Sequence, residues 1–153
     1  PLHGTSIDEY NEVINTNLFS SFYLLSTFAK RMKNGSALFF SSVAASLGLS
    51  NHEVISAAKS GIEGFVRSAA ATYSKDNLRI NAIAPSIMDS NMSKKILSTE
   101  QAIEISKSMH PIPKIGTYND ILPVVRWLMS NDADWVTGQT INIDGGLSKI
   151  KPR

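Results

Sequence analysis

The chain of 153 residues contains no cysteine. That absence excludes disulfides, thiolate metal sites and cysteine nucleophiles. Only three histidines occur, and no pair of histidines or carboxylates stands at metal-ligand spacing, so no metal is expected. No apolar run approaches the roughly 18 residues that a membrane-spanning helix requires. Excess charge is missing as well, since 15 Lys and Arg against 13 Asp and Glu leave a formal net charge of +2. With no basic run interleaved with aromatics, nucleic acid is not an expected partner. The opening Pro1-Leu-His-Gly-Thr-Ser6 lacks the basic and apolar regions of a secretory signal, which favours a cytoplasmic location. Pro1 without a preceding Met suggests a sequence cut from something longer. What remains, 42% hydrophobic and 18% charged, is an ordinary composition at a length suited to one domain.

Apolar spacing organises that domain. Ser6 or Asp8 can cap a helix in which Val13, Ile14, Leu18, Phe22, Leu25 and Phe28 follow a 3.6-residue period, stopped by Asn34-Gly35. Residues 37–41 are short, apolar and without alternation, as in a parallel strand covered on both faces. After a loop to about His52, a second helix carries Ala58, Ile62, Phe65, Val66, Ala69 and Tyr73 and ends near Asp76-Asn77. Residues 78–84 form a second buried strand stopped by Pro85. Residues 93–109 suggest a polar helix, followed by Pro111 and Pro113. Asn119 or Asp120 opens another helix through Met129, with Pro123 tolerable in its first turn. Residues 140–144 make a third strand closed by Gly145-Gly146.

The order α-β-α-β-α-α-β is the rhythm of an α/β, doubly wound parallel sheet with helices on both faces. Only three strands are visible, and the first would present an unpaired hydrophobic edge. More chain, or a partner chain, is therefore expected beside residues 37–41.

Three groups of residues carry a sharper signal: Ser42-Val-Ala followed by Ile55-Ser-Ala-Ala-Lys59; Arg79-Ile-Asn-Ala-Ile-Ala-Pro85; and Trp135-Val-Thr-Gly-Gln-Thr-Ile-Asn-Ile-Asp144-Gly-Gly146. With Asn15-Thr-Asn17-Leu upstream, this series resembles the C-terminal, catalytic half of the short-chain dehydrogenase/reductase family, nearest the 3-oxoacyl-acyl-carrier-protein reductases. The likeness extends from about Ser6 to Gly146. The resemblance implies a Rossmann-like fold, an NAD or NADP cofactor, and hydride transfer between nicotinamide and a small alcohol or carbonyl. It also implies that the N-terminal dinucleotide-binding half, with its glycine-rich phosphate turn, is absent from this sequence.

The same resemblance assigns roles residue by residue. Ser42 holds the substrate oxygen, Lys59 grips the nicotinamide ribose, and Asn17 orders a water that links the lysine to solvent. Pro85, Met88 and Ser90 lie along the nicotinamide and its carboxamide. Helices 8–32 and 55–75 pack subunits into a homodimer or tetramer. The family's tyrosine, four residues before the lysine, supplies the proton; here that position is Ile55. Negative charge develops on a carbonyl oxygen as hydride arrives, and an aliphatic group cannot neutralise it. His52, seven positions before Lys59, has the spacing at which related enoyl reductases place their tyrosine, and it could donate a proton.

Each assignment has a plainer counterpart. Ser42 could cap its own backbone turn, Lys59 could be a solvated helix lysine, and Asn17 is simply a poor helix former in mid-helix. Ser86, where the family has glycine, would strain a positive φ and weaken cofactor binding. Asp144-Gly145-Gly146 is expected to be structural. Tyr10, Tyr23, Tyr73 and Tyr118 belong to packing or surface, and His3 and His110 to the surface. The alternative to an oxidoreductase is a catalytically silent homologue kept as a binding or assembly subunit.

Overall fold

The computed structural model describes residues 2–151. Its first long element is a helical rod in three parts: α1 (Ile7–Ile14), a π-helical turn over Asn15–Phe19, and α2 (Ser20–Phe28). Ser6, not Asp8, is its cap. Glu9 N–H donates to Ser6 Oγ at 3.2 Å while Ser6 N–H donates to the Glu9 carboxylate at 2.7 Å, so two orphan amides are satisfied reciprocally. The core-facing stripe is narrower than the spacing suggests. Ser21, Leu25 and Ala29 are buried, whereas Phe22 and Phe28 stay 38% and 45% exposed.

Three parallel strands, β1 (Ser36–Phe40), β2 (Arg79–Pro85) and β3 (Thr140–Ile143), form a sheet of order β1-β2-β3. Phe40 stands opposite Ile83, and Pro85 opposite Ile143, so the carboxyl ends of all three strands finish along one edge. Helix α3 (Glu53–Tyr73) connects β1 to β2, while α4 (Glu100–Ser108) and α5 (Tyr118–Met129) lie between β2 and β3.

Period-two alternation in β2 sends its side chains to two layers. Ile80 and Ala82 pack with Leu25, Ile62 and Val66 on the α2–α3 side, whereas Ile83 packs with Ile121 and Leu128 under α5. Helices therefore cover both faces, which is why the strands read as continuous apolar runs. Asn81, fully buried, joins the layers to the loop before β3. Its Nδ2 donates to the Val136 carbonyl at 2.9 Å, and its Oδ1 accepts from Gln139 N–H at 3.0 Å. Arg79 closes the C-terminus of α5 by donating to the Leu128 and Ser130 carbonyls.

The predicted helix over 93–109 is shorter than expected. Residues 91–97 are turns, because the buried Ser93 hydroxyl bonds back to the Met88 and Ser90 carbonyls and accepts from Ser90 N–H. The helix starts only where Thr99 Oγ1 accepts from Ala102 N–H at 3.1 Å. Among the described residues, no helix is long and apolar enough to cross a membrane, and β1 pairs on one flank alone.

Candidate functional site

The carboxyl edge of a parallel sheet is where such folds place ligands; Ser42 and Lys59 lie at the end of β1, and Pro85, Met88 and Ser90 at or after the end of β2. Ser41 N–H donates to the Ile83 carbonyl at 2.8 Å, which carries the β1–β2 pairing one residue further and sets Ser42 beside the end of β2. From there the chain enters a short 3-10 turn, Val43–Ala45, which Ser42 Oγ caps by accepting from Ala44 N–H at 3.2 Å. The plainer role of Ser42 is thus real. A hydroxyl that accepts in this way still keeps its own proton to donate.

Helix α3 returns over this edge and is tied to it at three points. Lys59 Nζ donates to the Phe40 carbonyl at 3.0 Å, Ser60 Oγ donates to the Ala45 carbonyl at 2.9 Å, and Ser41 Oγ lies 2.8 Å from a Glu63 carboxylate oxygen. Lys59 is half-buried, and loss of hydration holds its ammonium pKa below the ordinary 10.5. Ile55 sits one turn ahead of it, at i−4, and so on the same side of the helix. It is half-buried.

No phenol among the described residues hydrogen-bonds to this group. Tyr10 donates to the Leu2 carbonyl at 2.6 Å, Tyr73 packs into the core further along α3, and Tyr23 and Tyr118 are 72% and 65% exposed. His52 is exposed at the start of α3, with Nδ1 2.7 Å from the Ser50 carbonyl. Asn17 lies in the π-helical turn, and its Nδ2 donates at 3.0 Å to the Val13 carbonyl. That is the carbonyl which ordinary α geometry would assign to the backbone N–H of residue 17. Its neighbour Leu18 presses on α3 where only Gly61 leaves room, since a Cβ there would stand 2.9 Å from a Leu18 methyl.

The end of β2 holds the second group. Pro85 closes the strand, and Ser86 N–H donates to the Ile143 carbonyl at 3.2 Å. Ser86 is not among the residues with positive φ, so serine brings none of the expected strain. Met88 and Ser90 follow in the turns that Ser93 braces.

The sequence reading placed His110 on the surface, and the structure corrects this. His110 is only 6% exposed, drawn inward because Ile112 N–H bonds to the Gly145 carbonyl at 2.9 Å. Its Nδ1 lies 2.8 Å from the Ser106 carbonyl and its Nε2 lies 2.8 Å from Ser86 Oγ. A carbonyl can only accept, so the network assigns the proton to Nδ1 and leaves Nε2 to accept from Ser86. No spacing rule links residues 86 and 110, and nothing in the sequence could have paired them. His3 is exposed, as expected.

Asp144 is buried at the end of β3 and fixes the following turn. It accepts from Gly146 N–H at 2.9 Å, Ser148 N–H at 3.0 Å and Ser148 Oγ at 2.5 Å, with Gly145 and Gly146 at φ +58° and +91°. Burial alone would raise its carboxyl pKa, but the bonds from Ser148 and Gly146 and the nearby His110 outweigh it, and the net shift is downward. Asp144, His110, Ser86, Met88 and Lys114 line one cleft of about 220 Å³. Among the described residues no cluster of acidic and histidine side chains could hold a metal ion.

Comparisons with known proteins agree with this fold. A family model described as enoyl-(acyl carrier protein) reductase matches residues 1–148. A chloroplastic tropinone reductase homolog of Arabidopsis thaliana is 32% identical over 97% of this chain and 47% of its own length. A 3-oxoacyl-(acyl-carrier-protein) reductase of Chlamydia pneumoniae is 33% identical over 94% of this chain and 58% of its own length. The chain therefore spans about half the length of the curated relatives it matches. A 4-hydroxyisoleucine dehydrogenase mutant complexed with NADH and succinate superposes with a TM-score of 0.93 at 26% identity, covering 99% of this chain and 64% of that one. The structure of ElxO with NADP bound gives a TM-score of 0.88 at 26% identity, covering 95% and 60%.

Proposed function

We propose, for a chain that belongs to the short-chain dehydrogenase/reductase family, that the whole protein is an NAD(P)-dependent oxidoreductase in which Ile55 replaces the proton-donating tyrosine. The bound dinucleotide supplies or takes the hydride. In this reading Ser42 donates a hydrogen bond to the substrate oxygen, and Lys59 turns from the Phe40 carbonyl to the nicotinamide ribose. Asn17 orders a water behind the lysine, and Pro85, Met88 and Ser90 flank the nicotinamide. The substrate is a small alcohol or carbonyl, and the protein works as a cytoplasmic homo-oligomer. The observation that carries the reading is the aliphatic side chain of Ile55 one helical turn from Lys59. It retains the shape of the site and removes the acid, a term typically worth about 10²–10⁴ in rate.

A second reading, a silent homologue serving as a binding or assembly subunit, draws on Phe19, Tyr23, Leu24 and Phe28, which leave an apolar strip of α2 and the turn before it open to solvent. Replacing Ile55 by Tyr in the full-length protein separates the two. A gain in NAD(P)H-dependent turnover of about 10²-fold or more supports a site intact but for its acid. No gain, with no dinucleotide binding by titration calorimetry, supports the silent subunit. For the 153-residue chain by itself, no tight dinucleotide binding and no NAD(P)H oxidation are expected. Measurable oxidation by the pure chain overturns that expectation.

A further inference from the structure

We propose that Ser86 and His110 form a serine–histidine pair that transfers the acyl group of small esters, in the cleft that Met88 also lines. Three observations carry this. Ser86 Oγ and His110 Nε2 are 2.8 Å apart, within the reach a nucleophile and its base require. The base is oriented by a third group, since Nδ1 is held at 2.8 Å by the Ser106 carbonyl. That bond fixes the tautomer in which Nε2 is free to take the serine proton. The pair also opens onto the 220 Å³ cleft, whose apolar walls of Met88, Ile112 and Ile143 suit a short acyl chain.

The charges fit the same step. As Ser86 Oγ bonds to the ester carbonyl carbon, its proton passes to His110 Nε2 and the ring becomes cationic. Asp144 lines the same cleft as His110, and its hydrogen bonds from Ser148 and Gly146 keep a carboxylate there while the ring is cationic. Lys114 also lines the cleft, paired with Asp120, and is the cation available there to a carbonyl oxygen as it becomes an oxyanion. Collapse of the adduct breaks the bond to the leaving alcohol, which takes the proton from Nε2. Water then repeats the sequence: its proton goes to Nε2, its oxygen bonds to the acyl carbon, and Ser86 Oγ leaves with the proton. The balance is ester plus water giving acid plus alcohol, with no further reactant.

The test uses the 153-residue chain with an alkyl fluorophosphonate and with p-nitrophenyl butyrate. The expected result is a single phosphonyl adduct located at Ser86 by peptide mass spectrometry. Ester turnover above the buffer rate should fall by about tenfold or more in both Ser86→Ala and His110→Gln, with circular dichroism confirming their folds. The adduct on the unaltered chain is read independently of either variant. An unlabelled Ser86, an adduct on a different serine, or turnover that survives Ser86→Ala overturns the proposal.

Discussion

Lys59 donates its ammonium proton to the Phe40 carbonyl across 3.0 Å, joining the first turns of α3 to the last residue of β1. That bond parks the charge at the carboxyl edge of the sheet. A neutral carbonyl offers it less than a carboxylate would. The ion pairs among the described residues are Lys33–Asp76, Lys107–Glu104 and Lys114–Asp120, and none includes Lys59. A half-buried cation with no anionic partner is a stability cost, which a functional position can carry.

Lys59→Met should therefore leave the thermal midpoint at neutral pH unchanged or raised. The sign follows from proton binding. Burial holds the folded pKa below 10.5, so through the titration the unfolded chain binds more protons and stability rises with pH. The gain from Met should shrink on the alkaline side, once the native lysine is neutral. Calorimetric melts at neutral and alkaline pH check this, and a clear drop in midpoint at neutral pH contradicts it.

Acid should act through two aspartates. Asp120 is held at about 2 by hydrogen bonds from Lys114 and Thr117, and Asp144 is also below the ordinary 3.8. A lowered carboxyl pKa gives stability that is complete above 3.8 and is lost as pH falls through the folded value. For Asp120 that window runs from about 3.8 down to about 2. Asp144→Asn and Asp120→Asn should each flatten the acid limb of a stability–pH curve. Superimposable acid limbs for variant and native chains would refute the assignment.

Asn81→Ala should be among the most damaging single changes. It strands the Val136 carbonyl and the Gln139 N–H, each costing about 1–3 kcal/mol where water cannot reach it, for a total of up to about 2–6 kcal/mol. Urea unfolding followed by Trp127 and Trp135 fluorescence measures it. A loss below about 0.5 kcal/mol would mean that water replaces the amide.

Gly61 and Leu18 should be energetically coupled. Gly61→Val drives a branched side chain onto methyls that a Cβ alone would approach to 2.9 Å, an overpacking cost of about 1–3 kcal/mol. Leu18→Ala opens that space, so the double variant should lose less than the sum of the singles. Additive losses in a double-mutant cycle contradict the contact.

The sheet was legible because burial on both faces writes β2 as Ile80-Asn-Ala-Ile-Ala84, a run no exposed element would carry. The ends of elements were less so. Ser93 looks like a helix residue in its neighbourhood, yet its hydroxyl finds the Met88 and Ser90 carbonyls and holds a turn. Spacing along one helix relates Ile55 to Lys59, and both lie on α3 one turn apart. Ser86 and His110 meet only because two loops after different elements converge, and period or propensity has no access to that. The π-helical turn at Asn17 escaped for a similar reason, since an inserted residue leaves the composition of a helix unchanged.

Among the described residues, strand β1 pairs with β2 alone, and Phe40 at its end is 49% exposed. An edge of this kind in the 153-residue chain is a template for a further strand, a second molecule of the same polypeptide included. Concentrated preparations should for that reason turn cloudy on standing. A synthetic hexapeptide covering residues 36–41, added in excess, would be the natural agent to keep them clear.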